Sequence, residues 1–527
     1  METGRRTLAP HAFSGFLLAV FVGFGLRDIG RAPKVYEDEA WIAAPGYTFV
    51  TTGVFGTQLD RGFYGTERHC YGFMPLFPIA VGACLRVFGL GLAQARLVPL
   101  ATATGVLLLT HRIGSRLLSP WHGVTAVALL VLAPVASPVA HLGSGIPLAD
   151  LARLVRYDIP VPFFGLAALL VLVPVFTTGR EPAPGRLFGA GLLTGLAALS
   201  HVYGIFWLPA LLFALVTARG RRVLRVALLP SIAGFLLASL PWLLFAAGGW
   251  HDFLGQNRNA ADRFDLLDPG FYLENLRGEI SRYGLVLKAM AFPRLSPWLF
   301  VVSAAAGAFV LFRRGPRALL AVSGVLALAF ALLLRSKNVL YLATLWPLLA
   351  LIAAAGLGAV WDVLPRFGRG LLFLVCLAAA AEGVRERERT AAEARGTTPY
   401  ADFTRRLSAA IPDGGRVVGM QHYWFGLAGK FPDYATVPLH RTLARFTEQP
   451  VSFAEAVDGL APDVFVVDQV LRDFFRDNDD PGAEFHGLAA DVQRWVAERG
   501  RSIAVLEDPT YGRVEVYAID VGKPPGS

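Results

Sequence analysis

The feature that most limits what this chain can become is a series of apolar runs, about 15 to 25 residues long, from which charge is nearly excluded. A run of that length crosses a hydrocarbon core of roughly 30 Å as a single helix. In lipid every backbone N–H and C=O must be satisfied within the protein, which leaves helices or closed barrels. The runs lie near residues 12–29, 96–111, 121–140, 159–177, 187–201, 203–218, 223–247, 297–312, 318–334, 338–361 and 370–384. With 54% hydrophobic residues, 17% charged residues and a mean hydropathy of +0.49, the chain reads as a polytopic α-helical membrane protein. The first run lacks a small-residue cleavage site and is expected to stay as an anchor.

One further segment, Gly72–Leu92, is apolar but carries Pro75, Pro78, Arg86 and several glycines. Whether it crosses decides the side of every later loop. If it does not cross, the N-terminus and segments 111–119, 178–186, 218–225, 313–317 and 362–370 share one side with fifteen Lys and Arg. The short segments opposite then hold four: Arg153, Arg156, Arg335 and Lys337. If it crosses, thirteen of the fifteen change side. The bias of basic residues toward the cytoplasm favours the first arrangement. It gives about 11 transmembrane helices plus a juxtamembrane element, a cytoplasmic N-terminus and an extracytoplasmic tail. Segments 30–95, 142–158 and 248–296 then share the outer face.

Charge divides the chain. Residues 396–527 hold 13 Lys and Arg against 19 Asp and Glu, and the remainder holds 36 against 21. A basic membrane part with an acidic tail implies contact with membrane lipids and no nucleic acid. The expected domains are a transmembrane part over 1–385, a charged juxtamembrane linker over 386–399 and a soluble α/β extracytoplasmic domain over 400–527. In that tail Tyr400–Ile411 and the region of Val492–Glu498 read as helices. Arg416–Met420 and Asp463–Asp468 read as strands, and Ser502–Leu506 with Arg513–Ile519 as a hairpin. No Gly-rich phosphate loop follows a strand. Cys70, Cys84 and Cys376 have no metal-ligand spacing and form no disulfide framework. Abundant Ala, Gly, Leu and Arg without eukaryotic sorting motifs points to a bacterial inner membrane.

The chemistry gathers at Tyr36-Glu37-Asp38-Glu39-Ala40-Trp41, three consecutive carboxylates in a polar loop just after the first span. A group-transfer enzyme working outside an energised membrane cannot draw on cytoplasmic nucleotide sugars, so its donor comes from the membrane, typically as a lipid phosphate ester. It needs a carboxylate to accept a proton from the acceptor hydroxyl, cations for the departing phosphate, and a greasy groove. Asp38 is the candidate base and Glu39 a loop support or donor-sugar ligand. Asp158 is a second carboxylate, with Arg156 able to pair with it locally. Lys337 suits a phosphate or, equally, lipid headgroups. His201 suits a helix-end hydrogen bond. Arg258 and Arg263 near Gln256 are candidate phosphate or sugar ligands, and Trp41, Tyr71 and Trp250 a stacking rim or an interfacial belt.

The order of these motifs resembles the GT-C superfamily of polyprenyl-phosphate-sugar-dependent glycosyltransferases, in the branch with protein O-mannosyltransferases and the aminoarabinose transferases of lipid A. The resemblance covers roughly residues 10–385. Asp38-Glu39-Ala40 looks like the family's acidic motif. Gly72–Arg96, with Pro75-Leu76 and Phe88-Gly89…Ala95-Arg96-Leu97, is similar to its juxtamembrane segment. Arg156-Tyr157-Asp158 looks like the second acidic site, and Gly195-Leu-Ala-Ala-Leu-Ser-His201-Val-Tyr203-Gly204 is the most specific match. Lys337…Tyr341…Pro347 resembles the phosphate-contacting lysine and lipid-site tyrosine. Relatives often carry an acidic residue and a lysine before the two prolines; here His69-Cys70-Tyr71-Gly72-Phe73-Met74-Pro75 has no such pair. A divalent metal ion is therefore left open, with His69 or Glu67 as the substitutes at hand.

The resemblance implies an inverting transfer from a polyprenyl-phosphate sugar to an envelope acceptor, whether lipid, glycan or protein. Catalytic roles fall to Asp38 and Asp158, and substrate contacts to Glu39, Arg156, His201, Tyr203, Arg258, Lys337 and Tyr341. Two other classes stand beside this one. A flippase for lipid-linked sugars calls for mid-bilayer charges and inverted repeats, which the sequence does not display. A non-catalytic receptor or assembly protein would act through its tail.

Overall fold

A computed structural model of the chain describes residues 2–136, 143–178, 181–261, 265–291, 294–337 and 339–520. Among them eight helices are long and apolar enough to cross a membrane, including Ala9–Leu26, Leu92–Leu117, Pro160–Thr178 and Trp346–Val363. Shorter helices occupy three further expected runs: Pro120–Leu132, Pro184–Ser200 and Arg317–Leu333. Every one of the eleven runs therefore contains a helix. The run at 338–361 is broken, with a 3₁₀ turn over Val339–Thr344 ahead of Trp346–Val363. Pro347 explains the break, because it lacks the N–H that a helix interior needs and fits only the first turn. Within Gly72–Leu92 the helix is Leu76–Phe88, 13 residues long.

Two stretches expected as loop are helical. The acidic stretch is the first turn of a helix, Glu37–Thr52. Carboxylates are favoured there by the exposed N–H groups and the dipole of the helix start. Glu39 reaches back to accept the Tyr36 N–H at 2.7 Å, which fixes where the helix begins. The second stretch lies in 248–296, where Pro269–Ala291 forms a 23-residue helix.

The chain divides into two compact units. One comprises Met1–Asp28, Pro99–Leu244 and Arg263–Glu393; the other comprises Ile29–Val98, Phe245–Asp262 and Ala394–Ser527. The tail is thus one body with the acidic helix and the juxtamembrane helix. The stretch 386–395, expected as linker, continues the helix Arg366–Arg395. Within the second unit, Glu37–Thr52 and Leu76–Phe88 cross at Gly46, where a Cβ would sit 1.8 Å from the Pro78 carbonyl oxygen. Only glycine permits that approach.

The tail carries a five-stranded sheet in the order β2-β1-β3-β5-β4. The strands are β1 (Val417–Gly419), β2 (Ala435–Thr436), β3 (Val464–Val467), β4 (Gly500–Asp508) and β5 (Gly512–Ile519). β1 runs parallel to β2 and β3, while β5 is antiparallel to β3 and β4. Central β3 is buried along its whole length, as its unbroken apolar sequence demands. Val418, Phe453, Phe465, Val492 and Trp495 form the core around it. The expected strands and hairpin are present within one or two residues. β2 and the helices Phe453–Asp458 and Gln469–Asp477 went unread, being two, six and nine residues long.

Asp468, at the end of β3, is 1% exposed. Its Oδ1 accepts the Leu471 N–H at 2.9 Å, and its Oδ2 lies 2.9 Å from His422 Nε2. Burial alone would raise this carboxyl, but His422 and the Leu471 N–H outweigh it and hold it below the usual carboxylate range. A depressed pKa contributes stability above the unfolded value, about 3.9, that is lost as pH falls through the folded value. Hydrogen-exchange protection of β3 should therefore drop below about pH 4. In Asp468→Asn it should be weaker at neutral pH and flatter toward acid. Equal acid slopes in the two proteins would remove Asp468 from the account.

Candidate active site

The acidic helix start is built by Arg96. This arginine and Glu39 are both fully buried, and they meet fork to fork: Nε to Oε1 at 2.9 Å and an amino nitrogen to Oε2 at 2.8 Å. The other amino nitrogen donates to the carbonyls of Ile29 and Pro33, both at 2.9 Å. One guanidinium thus ties the end of the first span, the turn at Pro33 and the first turn of Glu37–Thr52. Only arginine presents donors in that planar spread. Glu39, expected among the substrate ligands, spends both oxygens on Arg96 and Tyr36. It is a fixed strut, and Asp38 beside it is half-buried at the helix N-terminus.

The tail packs round the same turn. Trp41 lies 5.4 Å from the His440 ring, Tyr47 lies 5.8 Å from Trp424, and Lys34 stands 5.4 Å over Tyr511. Tyr400 N donates to Gly30 O at 3.2 Å, and Thr436 N to Leu59 O at 2.8 Å.

In the other unit Asp158 is fully buried between Arg156, whose Nε donates at 3.0 Å, and the Tyr203 hydroxyl. Arg156 also stands 5.0 Å over the Tyr157 ring. His201 stacks between Tyr157 at 4.4 Å and Tyr203 at 3.8 Å, and its Nδ1 accepts the Tyr203 N–H at 3.3 Å. The histidine thus ends one helix and starts the next turn, as its helix-end reading anticipated. Gly204 makes this bend possible, since a Cβ there would lie 2.2 Å from the Ala197 carbonyl oxygen. Tyr341 closes the cluster, 5.2 Å from Tyr203.

Lys337 has partners that the sequence did not announce. Its ammonium lies 3.0 Å from Glu279 and donates to Ala331 O at 2.8 Å. Glu279 is 3.3 Å from Arg282, which is fully buried. Phe330 joins this group to the Asp158 group, with its ring 5.2 Å from Tyr203 and 5.9 Å from the Arg282 guanidinium. The structure therefore gathers Arg156, Asp158, His201, Tyr203, Tyr341 and Lys337 in one neighbourhood. Glu279 and Arg282 complete it, and an i,i+3 pair of opposite charges was the available signal.

Arg258 pairs with Glu448 at 2.8 Å within the unit that holds the tail, and Arg263 lies outside the described residues. Tyr71 is 3% exposed and donates to Phe245 O, so it belongs to the interior and not to a rim. His69 packs against Phe245 at 5.6 Å, and Glu67 accepts the Gly62 N–H. No three His, Cys, Asp or Glu converge among the described residues.

No family model matches the chain, and no curated protein matches it by sequence. Solved structures do. ArnT from Cupriavidus metallidurans bound to undecaprenyl phosphate aligns over 99% of this chain and 100% of its own, with a TM-score of 0.58 and 17% identity. The archaeal oligosaccharyltransferase AglB from Archaeoglobus fulgidus, in complex with an inhibitory peptide and a dolichol-phosphate, aligns over 97% and 75%, with 0.58 and 14%. The arabinofuranosyltransferase AftD from Mycobacteria aligns over 98% of this chain and 40% of its own, with 0.52 and 16%. This is the GT-C fold. The chain is accordingly a multi-pass helical membrane protein with a small C-terminal sheet domain, and the likeness takes in the tail, which the sequence motifs up to residue 385 did not reach.

Proposed function

We propose that this protein is an inverting glycosyltransferase that moves one sugar from a polyprenyl-phosphate donor to an acceptor on the outer face of a bacterial inner membrane. The observation that carries the reading is the GT-C fold over nearly the whole chain, with Asp38 in the first turn after the first span. Asp38 accepts the proton of the acceptor hydroxyl as that oxygen bonds to the anomeric carbon. The bond from that carbon to the phosphate oxygen breaks, and the polyprenyl phosphate leaves with the electron pair. Asp158 is the second carboxylate, its direction set by Arg156 and Tyr203. Lys337 and Arg282 neutralise the leaving phosphate. Supporting this, Arg282 is fully buried and its Nε has no hydrogen-bond partner among the described residues. No step is routed through a metal.

The test is single-turnover cleavage of a panel of polyprenyl-phosphate sugars by purified protein in lipid, with donor binding measured alongside. Lys337→Met should weaken donor binding by about tenfold or more, the scale of one lost charge-assisted hydrogen bond. Glu279→Gln, which removes the competitor for that lysine, should not weaken it. Unchanged binding in Lys337→Met would return the residue to headgroup anchoring.

A further inference from the structure

The compact unit that holds the acidic helix also holds two hollows, of about 330 and 370 Å³, whose walls no part of the mechanism uses. Both are small among ligand pockets, which span roughly 300–1,000 Å³. Phe63, Tyr64, His251, Arg441 and Glu448 line the first. His440, Arg445, Phe446, Asn478 and Phe485 line the second. A narrow cleft of about 10 Å³ shares Phe63 and Arg441 with the first hollow and His440 with the second.

The rings form a continuous ribbon. His440 lies 5.9 Å from Phe63 and 4.6 Å from Phe446. Arg445 lies flat between Phe446 and Phe485, 4.8 Å from each. The ribbon begins at Trp41, three residues from Asp38, through the Trp41–His440 contact. The first hollow also stores backbone strain: Tyr64, a non-glycine residue, has φ +43°, in the left-handed region. Gln256 Nε2 on its carbonyl and the Glu448 N–H on its hydroxyl, both at 2.9 Å, hold it there. Strain of this kind concentrates at ligand clamps. Gly62, at φ +84°, leaves room for the Arg441 guanidinium, which a Cβ would meet at 3.0 Å.

We infer that this cleft binds the acceptor, and that the acceptor is an oligosaccharide seated on two sugar-sized subsites; the acceptor role rests on the transferase reading above. A pyranose or furanose presents an apolar C–H face and a rim of hydroxyls. The cleft matches both, with ring faces for the first and planar Arg, Glu, Asn and His side chains for the second. A peptide added as a strand finds no rail here, because the Thr436 N–H of edge strand β2 is taken by Leu59 O and the Val437 N–H by Gly419 O. A lipid chain finds no continuous apolar trough, because Arg441, Glu448 and His251 line the first hollow although Leu439, Leu443, Phe474 and Leu488 line the second.

The test uses the full chain in nanodiscs and saturation-transfer NMR. The probes are di- to tetrasaccharides of mannose, glucose, galactose and arabinose, with a mixed peptide pool beside them. At least one saccharide should receive saturation from wild type and equally from Asp38→Asn. Binding should fall at least tenfold in Phe63→Ala and in Arg445→Ala, the second altering an exposed side chain that no core packing depends on. Saturation of no saccharide, or equal transfer in all proteins, would overturn the assignment. Saturation of peptides in place of sugars would overturn it in favour of a peptide cleft. Sugar binding by a protein that cleaves no donor would retain the cleft and remove the transferase.

Discussion

Asp38→Asn is expected to lower single-turnover donor cleavage by roughly 10²–10⁴-fold while leaving donor binding within a factor of about two. The substitution is nearly isosteric and removes the basic oxygen alone. The backbone around it should stay in place, because the helix start is set by Glu39, Arg96 and the Tyr36 N–H, not by Asp38. A loss of activity accompanied by a lower melting temperature would speak for a structural role. Full activity would place the base elsewhere, and the first carboxylate to test next is Glu37, in the same turn.

The largest stability effect is expected at Arg96. Arg96→Met leaves the Glu39 carboxylate fully buried without its guanidinium partner, and breaking a buried pair from one side costs about 3–5 kcal/mol. The Ile29 and Pro33 carbonyls lose their donors in the same stroke. Thermal unfolding in lipid should therefore shift downward by several degrees, and donor cleavage should fall with it. Arg96→Lys should rescue little, since a single ammonium cannot reproduce the fork. The double variant Glu39→Met with Arg96→Met should recover part of the lost stability, because no unpaired charge remains. A single Arg96→Met protein as stable as wild type would mean that the pair is incidental to the helix start.

Much of this was legible in the chain because lipid is an unforgiving solvent. All eleven runs hold helix, and Gly72–Leu92, set apart by its prolines and Arg86, holds only the short helix Leu76–Phe88. The helix Glu37–Thr52 was not legible, since Pro45, Gly46 and a β-branched end disguise it as loop. Asp158, Arg156, His201, Tyr203, Tyr341 and Lys337 share one neighbourhood, because each sits near a helix end where polar groups must find one another. Glu39 turned inward to Arg96. Partners carried by residues distant in sequence, such as Glu279 for Lys337, leave no local trace. The receptor reading, which deletion of 396–527 would have tested, is not separated from catalysis by that deletion. The tail shares one compact body with residues 29–98, so removing it disturbs the acidic helix as well.

That shared body also has a consequence in time. Gly30 and Leu59 emerge from the ribosome near the beginning of synthesis, whereas their hydrogen-bond partners Tyr400 and Thr436 emerge near its end. At about 5–20 residues per second the interval is tens of seconds. Ten of the eleven apolar runs are translated between them. The nascent protein thus carries that body unfinished through most of its insertion, and its closing contacts form in a single late step. A chain released before them holds its helices in the membrane with the acidic helix still lacking the tail that packs round it.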